Sequence, residues 1–76
     1  MRRRNIVIRL RVKEIAEERE ISMSKLSRMA DVHYNTIRDI FTHPYRDVAL
    51  STLYKLSLAL KVPIHDLYEI VPDEDG

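Results

Sequence analysis

The 76-residue chain has room for one domain, and 45% hydrophobic with 33% charged residues gives it a globular composition. It has no cysteine and therefore no disulfide, and its longest apolar run is too short to span a bilayer. Net charge is only +1 but unevenly spread: residues 1–13 hold six basic groups and no acid, and residues 66–76 hold five acids and no base. Arg2, Arg3 and Arg4 precede no apolar stretch with a small-residue cleavage site, so a secretory leader is not expected and the cytoplasm is the default compartment.

Taken in chain order, residues 1–9 form a basic arm or strand, with Ile6, Ile8 and Leu10 alternating with polar neighbours except at Val7. The period then changes, and Val12, Ile15, Ala16 and Arg19 predict one face of a first helix ending near Glu20. Ser22 suits the N-cap of a second helix with Leu26, Met29 and Ala30 as its apolar stripe. That helix stops at Asp31, a residue type that tolerates a left-handed backbone. Val32 points inward, a third helix runs from Tyr34 to Phe41, and a polar loop covers residues 42–47. A fourth helix spans Leu50 to Leu60 on Leu53, Leu56 and Leu60. Pro63 suits the first turn of a short fifth helix, Ile64 to Leu67, and the β-prone Tyr68-Glu69-Ile70-Val71 precedes an acidic tail at 72–76.

Residues 23–41 carry the functional expectation. A small residue at Ser27 lets the second helix approach the third, Asp31 turns the chain, and Val32, Ile37 and Ile40 wedge the third helix at a steep angle. With Ile37, Ile40 and Phe41 inward, the outer side of that helix is Tyr34, Asn35, Arg38, Asp39 and Thr42. Asn pairs with adenine, Arg with guanine, and Asp accepts from cytosine, so this edge suits a major groove as well as it suits a solvated surface.

These residues resemble the lambda-repressor-like (Cro-type) helix-turn-helix family of transcriptional regulators. The matching blocks are Ile21-Ser22-Met23-Ser24-Lys25-Leu26-Ser27-Arg28-Met29-Ala30-Asp31-Val32 with Asn35-Thr36-Ile37, then Leu50-Ser51-Thr52-Leu53-Tyr54-Lys55-Leu56 and Leu60-Lys61-Val62-Pro63-Ile64-His65-Asp66-Leu67. The resemblance implies a mainly α, five-helix bundle forming a single helix-turn-helix domain over 1–76, with a small two-stranded β-ribbon from the terminal segments. It implies a sequence-specific regulator of transcription, a repressor acting as a dimer on a near-palindromic site of double-stranded DNA. Base contacts are then expected from Tyr34, Asn35, Arg38 and Asp39, and phosphate contacts from Met23, Ser24, Lys25, His33, Thr42, Tyr45 and Arg46. A basic arm at Arg2–Arg4 would reach an adjacent minor groove or simply fray.

The chain departs from the family at three caps: Asp31 stands where glycine is usual, Glu20 where glycine is frequent, and His33 where Ser or Thr is common. Each poor cap is expected to cost about 1 kcal/mol. Lys25 stands where a capping box would have Glu or Gln; a cation there opposes the helix dipole unless a phosphate docks on it. Tyr54 and Leu58, at i and i+4, are either the margin of a wide core face or an exposed strip that buries a second subunit.

Other functions fit less well. His33, His43 and His65 lie ten and twenty-two residues apart with no metal-ligand spacing, so no metal is expected. With no cysteine, glycine-rich phosphate loop or serine elbow, the chain reads as a non-enzyme, without cofactor or small-molecule ligand. The competing class is a protein-interaction module of the same fold, an antitoxin-like or accessory subunit, which the near-zero net charge and acidic tail favour.

Overall fold

A computed structural model describes residues 6–72. The Arg2–Arg4 arm and most of the acidic tail lie outside them. The elements are β1 (Ile6–Leu10), α1 (Val12–Glu18), α2 (Met23–Ala30), α3 (Tyr34–Thr42), α4 (Leu50–Leu60), a 3-10 turn (Ile64–Leu67) and β2 (Tyr68–Pro72). The expected fifth helix is this 3-10 turn, with Pro63 capping it from outside, so the described residues hold four α-helices. Four residues between Pro63 and the start of the ribbon leave no length for an α-helical turn with its own caps.

Leu26, Ile37, Ile40, Leu56, Leu60 and Leu67 are fully buried at the centre of the bundle, joined by Val12, Ile15 and Ala16 from α1. Each of the leucine, isoleucine and valine side chains contributes about 1.5–3 kcal/mol of hydrophobic stabilisation. Two expected members differ. Arg19 lies beyond the end of α1 and is exposed, and Met29 is 45% exposed while Ile21 and Met23 pack on the core in its place. An eight-residue helix presents only a narrow stripe, and Leu26 with Ala30 fills it.

Three helices end in one way. Glu20, Asp31 and Lys61 have φ of 56°, 58° and 61°, and the residue after each donates its amide back five positions: Ile21 to Ala16, Val32 to Ser27, and Val62 to Ser57. These are Schellman closures, in which Ile21, Val32 and Val62 then fold onto the core. Glycine usually occupies the left-handed position because a Cβ there costs roughly 1–2 kcal/mol. Asp31 tolerates it; Glu20 and Lys61 carry the strain.

β1 and β2 pair antiparallel with Val7 opposite Val71, Ile8 opposite Ile70, and Arg9 opposite Glu69, forming the ribbon expected from the terminal segments. Backbone bonds from Leu10 to the Pro44 carbonyl (2.6 Å) and from Arg11 to the Leu67 carbonyl (2.8 Å) fasten its base to the bundle. Arg9 completes the attachment by bridging Glu69 across the ribbon (2.9 Å) and Glu14 on α1. Partial burial, the largest single influence on the Glu14 carboxyl, pushes its pKa up. A backbone amide bond, Arg9 and the charge of Arg11 together outweigh that and hold it below the usual carboxylate range.

Two predictions follow from these contacts. Glu20→Gly and Lys61→Gly each raise unfolding stability by about 1 kcal/mol, seen as a higher denaturant midpoint at unchanged m-value; no gain would show that the caps are unstrained. Because native Glu14 holds its proton less tightly than the unfolded chain does, its stabilisation is complete above the ordinary carboxylate range and disappears as pH falls through the depressed native value. Arg9→Met therefore loses stability at neutral pH and shows a shallower decline than the parent below about pH 5, measured by denaturation at a series of pH values.

Candidate nucleic-acid interface

The turn between α2 and α3 sets the exposed geometry. The Ser27 carbonyl accepts from the amides of both Asp31 and Val32, and its hydroxyl donates to the Val32 carbonyl at 2.6 Å. One residue thus closes the turn, through its main-chain carbonyl and its hydroxyl together. Sequence reasoning credited Ser27 only with being small; the hydroxyl bond has no sequence signal beyond a polar residue facing a turn.

Beyond the turn, buried Ile37 and Ile40 hold α3 against the bundle, with Phe41 half-buried beside them. Tyr34, Asn35 and Arg38 stand exposed on the opposite side, as expected, and among the described residues their side chains make no hydrogen bond. Asp39 is half-buried, and its carboxylate accepts from Arg46 at 3.0 Å. Structure therefore joins two residues that the sequence assigned to different contact sets. Thr42 extends α3 by one residue, and its hydroxyl lies 2.9 Å from the Arg38 carbonyl and 3.0 Å from Nδ1 of His43.

Two helix starts flank this edge. Ser22 caps α2, accepting from the Lys25 amide at 3.1 Å, which leaves the amides of Met23 and Ser24 pointing out of the first turn. Lys25 is exposed and the first turn contains no acid. α3 starts at His33, which makes no side-chain cap bond, so the first amides of that helix are also open. Helix N-termini carry partial positive charge, and two of them with Lys25, Arg38 and Arg46 on exposed positions suit an anionic, phosphate-bearing partner. Tyr45 is 58% exposed on the loop after α3, beside Arg46.

Tyr54 and Leu58 lie on α4 and are both exposed, outside the core they border. Among the described residues no group of three His, Cys, Asp or Glu is close enough to hold a metal ion, and no helix is long and apolar enough to cross a membrane.

Residues 11–73 match the family model of the Cro/C1-type HTH DNA-binding domain. Among solved structures, the chain is similar to SinR, a master regulator for biofilm formation crystallised in complex with DNA. The identity is 27% and the TM-score 0.68, over 72% of this chain and 87% of that one. It shares its fold with the transcriptional regulator VanUg at 15% identity and TM-score 0.73, over 96% of both chains. Comparison with curated proteins finds no significant match.

Proposed function

The chain belongs to the Cro/C1-type helix-turn-helix DNA-binding domain family and so is a DNA-binding regulator; on that premise we propose that it is a transcriptional repressor that binds as a dimer to a near-palindromic duplex site. The observation that carries the reading is the free polar edge of α3: Tyr34, Asn35 and Arg38 project from a helix whose other side is locked by Ile37 and Ile40. α3 enters the major groove, Asn35 and Arg38 read purine edges, and Tyr34 adds a contact at the groove wall. Two copies place their α3 helices in successive grooves about 34 Å apart. Occupying a promoter blocks its use, which gives repression from a domain of this size.

Phosphates are held at the margins. Met23 and Ser24 offer backbone amides, Lys25 adds a charge where the helix dipole alone would disfavour one, and His33 sits at the open start of α3. At the end of α3 and in the loop after it, Thr42, Tyr45 and Arg46 face the next stretch of backbone. Asp39 lies within the recognition surface, and its bond to Arg46 makes it a positioning residue for that guanidinium as well as a candidate base reader.

Selection of bound sequences from random duplexes tests the reading: a symmetric site is expected. Asn35→Ala and Arg38→Ala each lose about 1–3 kcal/mol of discrimination at one base position of the half-site, with weaker effects elsewhere. Lys25→Gln instead weakens all sequences alike and reduces the slope of log affinity against log salt by about 0.9. An unchanged slope would remove Lys25 from the phosphate contacts. Absence of duplex binding at low salt would transfer the chain to the protein-interaction class.

A further inference from the structure

Asp39 is the one acid on α3, and it lies a full turn beyond Asn35 on the same side of the helix. A bare carboxylate on that edge would repel a polyanionic partner. It is not bare, because Oδ2 accepts from Nη1 of Arg46 at 3.0 Å. Arg46 is itself held in place by the loop. Its amide donates to the His43 carbonyl at 3.1 Å, and its Nε donates to the Asp47 carbonyl at 3.3 Å. Two residues earlier, the Pro44 carbonyl is tied to the Leu10 amide. Asp39 and Arg46 share one open recess at the end of α3 with Thr42, His43 and Tyr45. Their side chains are 40% and 48% exposed, and an ion pair this open adds little to stability.

On the DNA-binding reading above, on which this rests, we infer that Arg46, a loop residue outside the recognition helix, determines sequence specificity by fixing the Asp39 carboxylate as an acceptor for the amine of a cytosine. Guanidinium carries five N–H donors. Nε and one proton of Nη1 are taken, which leaves three for a phosphate without releasing Asp39. Among the described residues the Asp39 carboxylate is engaged only through Oδ2, so Oδ1 is left for a base. An ionised carboxylate only accepts, and it therefore pairs with a base edge that only donates. Cytosine alone offers such an edge in the major groove; guanine and thymine present acceptor oxygens, and adenine sets N7 beside its amine. Arg46 offsets the negative charge that phosphates would oppose, and by holding Oδ2 it gives Oδ1 one direction.

A lysine at position 46 would supply the charge but not the geometry. Its ammonium is a point charge on a flexible stem, whereas the planar guanidinium presents donors on two edges at fixed angles. Charge and aim are therefore separable by one substitution: the phosphate contact follows the charge, and the base preference follows the fork. A helical turn rises about 5.4 Å and base pairs stack at about 3.4 Å, so the cytosine falls one or two base pairs from the position that Asn35 reads.

Competition binding of the full chain to duplexes that differ at single positions of a selected site tests this. The parent is expected to favour cytosine about tenfold at the position Asp39 reads, and Asp39→Asn removes that preference. Arg46→Lys keeps the parent's dependence of affinity on salt yet loses most of the cytosine preference. In the Asp39→Asn background the same Arg46→Lys change no longer alters base preference. All three variants are expected to keep the parent's helical circular dichroism. An Arg46→Lys protein with the parent's cytosine preference overturns the inference and leaves Arg46 a phosphate contact only; a further change of preference in the Asp39→Asn background overturns it as well. If no cytosine position responds to Asp39→Asn while other positions respond to Asn35→Ala and Arg38→Ala, the inference fails and the DNA-binding reading stands. A parent indifferent to sequence at every position removes that reading and this inference together.

Discussion

The closure of the α2–α3 turn by Ser27 is the constraint on which the rest depends. Two amides and one carbonyl of the three-residue connection Asp31–His33 converge on that residue. Because Asp31 takes the left-handed conformation without a glycine, the turn is short and stiff, and Val32 drops onto the core directly after it. The direction of α3 is set there, before any of its exposed residues is considered. Ile37 and Ile40 then fix rotation about the helix axis, and only that rotation makes Asn35 and Arg38 neighbours on one open edge. The exposed polar edge is thus a consequence of backbone closure and two aliphatic anchors.

The same closure is used three times under unequal strain. A chain whose only glycine is its last residue has put Glu20, Asp31 and Lys61 where a Cβ is unfavourable. What compensates is the residue that follows: Ile21, Val32 and Val62 each bring an apolar side chain to the core. Burial of a side chain of that size is worth as much as the backbone conformation costs. The bundle is small, so little surplus remains, and the Arg9 bridges to Glu14 and Glu69 matter because they attach two chain ends sixty residues apart to α1.

The loop between α3 and α4 links the ribbon to α3. Its Pro44 carbonyl anchors the ribbon through Leu10, its Arg46 reaches back to Asp39, and its Tyr45 lines a groove beside Ile8 and Ile70. A segment tied to the ribbon on one side and to α3 on the other holds those two elements in a fixed relation.

Much of this was legible in the residues. Local signals such as the Ser22 cap, the 3.6-residue spacing of Leu53, Leu56 and Leu60, and the polar edge of α3 depend on near neighbours, so helix order and the exposure of Tyr34, Asn35 and Arg38 follow from sequence alone. Tertiary structure decided what depends on distant partners. Whether Tyr54 and Leu58 were core or surface turned on how α4 rolled against α2 and the 3-10 turn, and it left them out. That Asp39 holds Arg46, that Ser27 bonds a turn, and that Arg9 joins three elements each required a contact that spacing does not encode. Periodicity reports which side of an element is apolar; only packing determines which apolar side the chain can cover itself, because burial belongs to pairs of surfaces and not to either one.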